Sequence, residues 1–225
     1  MASGFVLTDA QRAAFEEILS GKSSISAGIE KEKTKFDAFN ALIGGDRILT
    51  EIKTTLPLNF TGQALVNCDP SNSKEVVVAL AKFSSQSGRV PILVLMNYNY
   101  ETIQKALTSV GIKGDYFIID TVSKGIAKVP TEKNIFFIDS LRNLTQLQIQ
   151  IVNLTKDVPK GLFIFDSMSM IELYHEEEVA SKFIYSLTKL LHKSNSTGLY
   201  VSSKQGLSSK LSQFFDESVQ LKKFI

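Results

Sequence analysis

The chain has 225 residues, 44% of them hydrophobic, and 25 Lys and Arg against 23 Asp and Glu give a formal net charge of +2. That length supports a substantial core and reads as one α/β domain with a decoration. Near-balanced charge argues against strong nonspecific attraction to nucleic acid. The single cysteine, Cys68, rules out an internal disulfide and fits a reducing compartment. Residues 1–11 hold neither a basic nor a long apolar segment, so no signal peptide is expected. No apolar run approaches the ~18 residues of a bilayer span. The expectation is a cytoplasmic protein, in which the Asn-x-Ser/Thr triplets at Asn59 and Asn143 are chance matches.

In chain order, residues 1–61 predict a helical amino-terminal extension. Thr8 is a candidate cap for a helix through Phe15, Ile18 and Leu19, which Gly21 ends. A second helix, from about Ser24 to Leu42, carries the polar run Glu30-Lys31-Glu32-Lys33, a solvated face, and stops at Gly44-Gly45. The apolar positions of these helices, Phe15, Ile18, Leu19, Phe36, Phe39 and Leu42, need a cover, in their own domain or on a partner. Gly21-Lys22-Ser23 imitates the end of a phosphate loop. Glu16 stands where the first glycine belongs, however, and a helix precedes it instead of a strand.

Residues 62–225 alternate strand and helix. Strands are predicted at Ala64–Asn67, Ile92–Met96, Tyr116–Asp120, Ile135–Ile138, Leu162–Asp166, Leu199–Ser202 and Ser218–Leu221. The clearest helix runs from Glu176 to Lys193, with Val179, Ala180, Phe183, Ile184, Leu187, Leu190 and Leu191 on one stripe. Another starts at Asn143, a candidate N-cap with Gln146 as its capping-box partner. His175 and His192 fall near opposite ends of the 176–193 helix and lack neighbouring ligands, so no metal site is expected. Phe163, Phe165, Phe183, Phe214 and Phe215 read as core. Such alternation implies βαβ units and a largely parallel sheet.

The run Gly161-Leu162-Phe163-Ile164-Phe165-Asp166-Ser167 is the most informative. An apolar run of this length reads as a strand buried on both faces. Its terminal carboxylate lies where open α/β sheets bind ligands, the position at which NTPases hold magnesium. Together with Ile138-Asp139-Ser140-Leu141-Arg142, Thr197-Gly198-Leu199-Tyr200-Val201 and Leu211-Ser212-Gln213-Phe214-Phe215-Asp216, all in the expected order, it resembles the RecA-like ATPase domain of the KaiC family. The small archaeal single-domain members are the most similar. The resemblance covers residues 63–222. It implies a three-layer RecA-like P-loop-type α/β fold with a mostly parallel central sheet and an amino-terminal helical extension.

An active P-loop reads Gly, four residues, Gly, Lys, Ser/Thr, and its glycines let backbone N–H groups point at phosphates. Here the first strand leads into Cys68-Asp69-Pro70-Ser71-Asn72-Ser73-Lys74-Glu75. Lys74 takes the lysine position, but Cys68 and Ser73 replace the glycines and Glu75 the hydroxyl. Pro70 removes a donor. Ser71 or Ser73 is then a candidate cap for the helix through Val76, Val77 and Leu80. The catalytic carboxylates that the resemblance places after the next strand are replaced by Asn97-Tyr98-Asn99-Tyr100, which cannot act as general bases. Glu101 reads as the start of a helix. Lys204, near where the resemblance places a group reaching a neighbour's nucleotide, reads as an exposed loop lysine. Ser71, Asn72, Ser73, Lys74 and Asp166 therefore form a vestigial nucleotide site with no catalytic residue and no metal. The expected function is a regulatory or protein-interaction module with no cofactor, working through a protein partner or self-association. The alternative is a switch that binds ATP and magnesium with slow or no hydrolysis.

Overall fold

The computed structural model describes residues 46–124, 133–202 and 209–222, with the backbone alone at 209 and 210. These residues belong to one compact unit, Leu42–Ile225. The two predicted amino-terminal helices, Gly21-Lys22-Ser23 and Lys204 lie outside the described residues.

Seven strands form one sheet: β1 (Gln63–Asn67), β2 (Pro91–Leu95), β3 (Phe117–Asp120), β4 (Ile135–Phe137), β5 (Leu162–Asp166), β6 (Thr197–Ser202) and β7 (Glu217–Gln220). Their order is β4-β3-β2-β5-β6-β1-β7, and every pairing is parallel. All seven predicted strands are present with ends moved by a residue or two.

Side chains alternate between two cores, as the two-residue strand period requires. Leu93, Leu95, Leu162, Ile164, Leu199 and Val201 enter one cluster, while Ile92, Val94, Phe163, Phe165 and Tyr200 enter the other. The first face is covered by α1 (residues 46–55), α2 (Ser73–Gln86) and α3 (Tyr100–Ser109). The second is covered by α4 (Leu144–Asp157), α5 (Met168–Tyr174) and α6 (Glu177–Lys193). A last helical turn, α7 (Ser209–Ser212), precedes β7. Ile48, Leu49, Ile52 and Leu56 of α1 and its exit are buried, so this helix is part of the sheet domain's core. Among the described residues no helix is long and apolar enough to cross a membrane.

Gln63 and Tyr200, two buried polar side chains of the core, are paired. Tyr200 donates its hydroxyl to Gln63 Oε1 at 2.8 Å, and Gln63 Nε2 donates to the Ser196 carbonyl at 3.2 Å. Gly198 is required beside them, because a Cβ there would collide with the Gln63 amide and the Tyr200 ring.

The predicted 176–193 helix is present over Glu177–Lys193, and a further helix, α5, ends before it at His175, whose Nε2 lies 3.0 Å from the Leu141 carbonyl oxygen. Two local readings change. Neither Ser71 nor Ser73 caps α2. Asn72 occupies its N-cap without a side-chain bond, because a 3-10 turn over Pro70–Asn72 precedes the helix and Asp69 caps that turn. Phe163, Phe165 and Phe183 are buried, but Phe214 and Phe215 are only partly so. The Asn143 cap is present, its side chain accepting from the Gln146 N–H at 3.0 Å.

Candidate functional site

In a parallel sheet the strand ends that meet helix N-termini are the natural ligand end. Here that end brings together the β1–α2 loop, the segment after β2 and the terminus of β5. Asp166 ends β5, the middle strand of the seven. The peptide that joins it to Ser167 is cis. By strand alternation its side chain enters the α2 face, where Cys68 also lies.

The loop folds upon itself. Asp69 accepts from the Ser71 N–H at 3.0 Å and from the Ser71 hydroxyl at 2.6 Å. The Asn72 N–H donates to the Asp69 carbonyl, and the Ser73 N–H to the Pro70 carbonyl. Pro70 has no N–H. The amides of residues 71 to 73 thus face acceptors of their own loop. Ser73 Oγ lies 2.7 Å from the Tyr98 hydroxyl, so a tyrosine from the β2–α3 segment closes over the start of α2. Lys74 pairs with its neighbour Glu75 at 3.8 Å and is well exposed.

Asp166 is fully buried, and neither carboxylate oxygen makes a well-formed hydrogen bond among the described residues, the Tyr98 N–H lying near but out of line. Burial pushes its carboxyl up to about 7, the Tyr98 amide offsetting a part. Burial likewise pushes the Cys68 thiol up to about 12, with the charges of Asp166, Asp69 and Glu75 adding to it. Burial also raises the Tyr98 phenol, against the Ser73 hydrogen bond. Every described buried side-chain atom without a partner lies at this end, on Asn67, Asn72, Glu75, Asp166, Ser167 and Ser202. The loop and strand ends therefore carry acidic groups, Asp166 fully buried and Asp69 and Glu75 partly so, with Lys74 turned to Glu75.

Bare carboxylate and hydroxyl oxygens suit magnesium. Among the described residues no group of three His, Cys, Asp or Glu is disposed to hold a metal by itself, and magnesium that rides with a nucleotide needs the phosphates seated first. A triphosphate also needs amides pointing outward from the loop, and these point inward. The residues present do not fit magnesium with a nucleoside triphosphate. Ser73 and Asp166 are brought together through Tyr98, while Lys74, Ser71 and Asn72 stay with their own loop.

Two residues outside the predicted site organise it. One is Tyr98, whose only sequence signal is an aromatic hydroxyl just past a buried strand. The other is Asp120 at the end of β3, whose carboxylate accepts from the N–H groups of Tyr100 (2.8 Å), Val122 (2.6 Å) and Ser123 (2.8 Å) and from the Ser123 hydroxyl (2.6 Å). Asp120 ties the β2–α3 and β3 loops together, so it fixes where Tyr98 stands. Asn99 caps α3, accepting from the Thr102 N–H at 2.9 Å, with Glu101 in the first turn as expected.

The strand carrying the loop and the strand carrying Asp166 are separated by one strand, β6, within an all-parallel sheet covered on both faces. This is a three-layer α/β fold with an all-parallel sheet, consistent with the RecA-like fold expected from the sequence. No family model matches the chain, and no curated protein matches it. Among solved structures, a KaiC-like protein from the hyperthermophilic archaeon Pyrococcus horikoshii OT3 is similar, at 16% identity and a TM-score of 0.47 over 72% of this chain and 72% of that one.

Proposed function

We propose that this chain is a RecA/KaiC-like protein that has lost ATPase chemistry and acts as a regulatory or protein-interaction module in the cytoplasm. The observation that carries this reading is the inward-turned loop: the amides of residues 71 to 73 are bonded to Asp69 and Pro70, and Tyr98 closes on Ser73. Phosphate binding at a helix start depends on those amides being available. The missing general base after β2 supports the same conclusion, since Asn99 serves as a helix cap. Near-neutral charge supports a protein partner or a second copy over nucleic acid.

Calorimetric titration of the purified protein with ATP and magnesium tests the reading. No saturable heat and no hydrolysis above a protein-free blank are expected, with Lys74→Ala changing neither. Hydrolysis abolished by Lys74→Ala or Asp166→Ala overturns it. One observation favours a second reading, an ATP-binding switch: Asp166 is left buried without a well-formed hydrogen bond where a magnesium ligand would stand. Saturable ATP binding without turnover, lost in Asp166→Ala, selects that switch.

A further inference from the structure

The opposite end of the sheet holds a cavity of about 580 Å³ that belongs to no part of the site above. It opens at the amino ends of β1 and β6 and beside the residue that precedes Gly161, and its volume lies within the range of small-molecule sites. Three basic side chains line it, Arg89, Lys160 and His192, and none of its lining residues is a carboxylate.

The charge balance there is positive. Arg89 donates to the Phe60 and Leu58 carbonyls and to Thr197 Oγ1 and Ser87 Oγ, all uncharged acceptors. Its guanidinium is therefore held in place without being neutralised. Lys160 makes no ion pair among the described residues and is exposed. His192 lies 3.2 Å from Asp216, the nearby carboxylate, which also accepts from the Gln63 N–H at 2.7 Å. That pair cancels when the imidazole is protonated, leaving Arg89 and Lys160 in excess.

An ordinary explanation of such cations is complementation of helix C-termini, and α2, α4 and α6 end here, α4 three residues before Lys160. Carbonyls in the last turn of each already have backbone partners, however, and at the end of α4 the Val158 N–H bonds back to Leu154. The Ser87 and Arg89 N–H groups bond back to Phe83 and Ser84, and those of Ser194 and Ser196 to Leu190 and Leu191. Neither the Arg89 nor the Lys160 side chain hydrogen-bonds to those carbonyls.

Backbone conformation marks the same place. Among the described residues only Lys160 (φ 59°) and Asn195 (φ 52°) are non-glycine residues with positive φ, and both line this cavity. Asparagine tolerates the left-handed region after a helix, whereas lysine gains nothing local from it. Glycine would sit at 160 without strain, yet the chain carries a cation there.

The geometry points to a binding site for a small phosphoryl-bearing anion, held by Lys160 and His192 over the fixed charge of Arg89. The full chain is titrated calorimetrically with pyrophosphate and, separately, with ribose 5-phosphate. Saturable binding of at least one is expected, and the tighter of the two identifies an inorganic or an organic source. Lys160→Gly is expected to weaken binding about tenfold or more, the scale of one charge-assisted hydrogen bond. It should leave the melting temperature unchanged or higher, because glycine accepts the left-handed conformation. Lys160→Gln supplies a second removal of the same charge, and Lys74→Ala, at the other end of the sheet, should bind like the wild type. Absence of saturable binding to both anions overturns the inference. So does wild-type affinity in both Lys160 variants, or loss of binding in Lys74→Ala.

Discussion

Asp120 and Asp166 are both buried carboxylates at the ends of parallel strands, and their surroundings are opposite. Four donors surround the Asp120 carboxylate, so it holds two loops in place. Asp120→Ala leaves buried N–H groups unpaired and should destabilise by roughly 3 kcal/mol, with Asp120→Asn losing less, measured by denaturant unfolding. Asp166 has no such partners, and its carboxyl is raised from an ordinary 3.8 to about 7. The folded protein keeps that proton to a higher pH than the unfolded chain does. This contribution to stability is complete below about pH 4 and is lost as pH rises to about 7, by on the order of 4 kcal/mol. Asp166→Asn has no proton to lose. Unfolding midpoints at about pH 5 and about pH 8 should differ less in the variant than in the wild type. An equal fall in both would show that other groups control the slope.

The β1–α2 loop and the segment after β2 act as one element, joined by the Ser73–Tyr98 contact. Tyr98→Phe removes a single neutral hydrogen bond and should cost about 1 kcal/mol. If the loop is held closed mainly by Asp69 and the 3-10 turn, the same variant should gain no ATP binding by calorimetry. Saturable ATP binding in Tyr98→Phe would instead make the tyrosine the bar to nucleotide. On the other face of the sheet, the Asn143 side chain meets both ends of its cap, accepting from the Gln146 N–H and donating to Gln146 Oε1 at 3.3 Å. Asn143→Ala should lower stability by about 1 kcal/mol, read from the thermal midpoint with helix content retained.

For the whole molecule, α1 is the element whose role the local pattern understates. Ile52 and Leu56 are fully buried against the sheet, together with Ile48. Ile52→Ala should cost about 2–5 kcal/mol, as large-to-small changes in a packed core do. A chain beginning at Thr61 loses all of these side chains and should no longer unfold cooperatively, whereas one beginning at residue 46 should. Circular dichroism melts of both separate a packing role for this helix from a dispensable one.

The sequence by itself determined the strands and most of the helices of the described domain. Val, Ile, Leu and Phe in short runs such as Leu162–Phe165 can be satisfied only as strands buried on both faces, and a stripe such as that of residues 177–193 only as a helix on a sheet. It also placed Asp166 at a strand end and displayed the missing loop glycines, because both are properties of neighbouring residues. The start of α6 near Glu176 was legible, but the short helix α5 that precedes it and ends at His175 was not. Its seven residues are too few to show a helical stripe, and the contact of the His175 ring with the Leu141 carbonyl exists only in the folded chain. Only the tertiary structure decided that Tyr98 meets Ser73, that Asp120 gathers four donors and that Asp166 gathers none. It alone placed Arg89, Lys160 and His192 around one cavity. Apart from Val122 and Ser123, which follow Asp120 within three residues, the partners are 20 to more than 100 positions apart, and no local period relates them. Their meeting follows from the strand order β4-β3-β2-β5-β6-β1-β7, which is set by how the two cores pack.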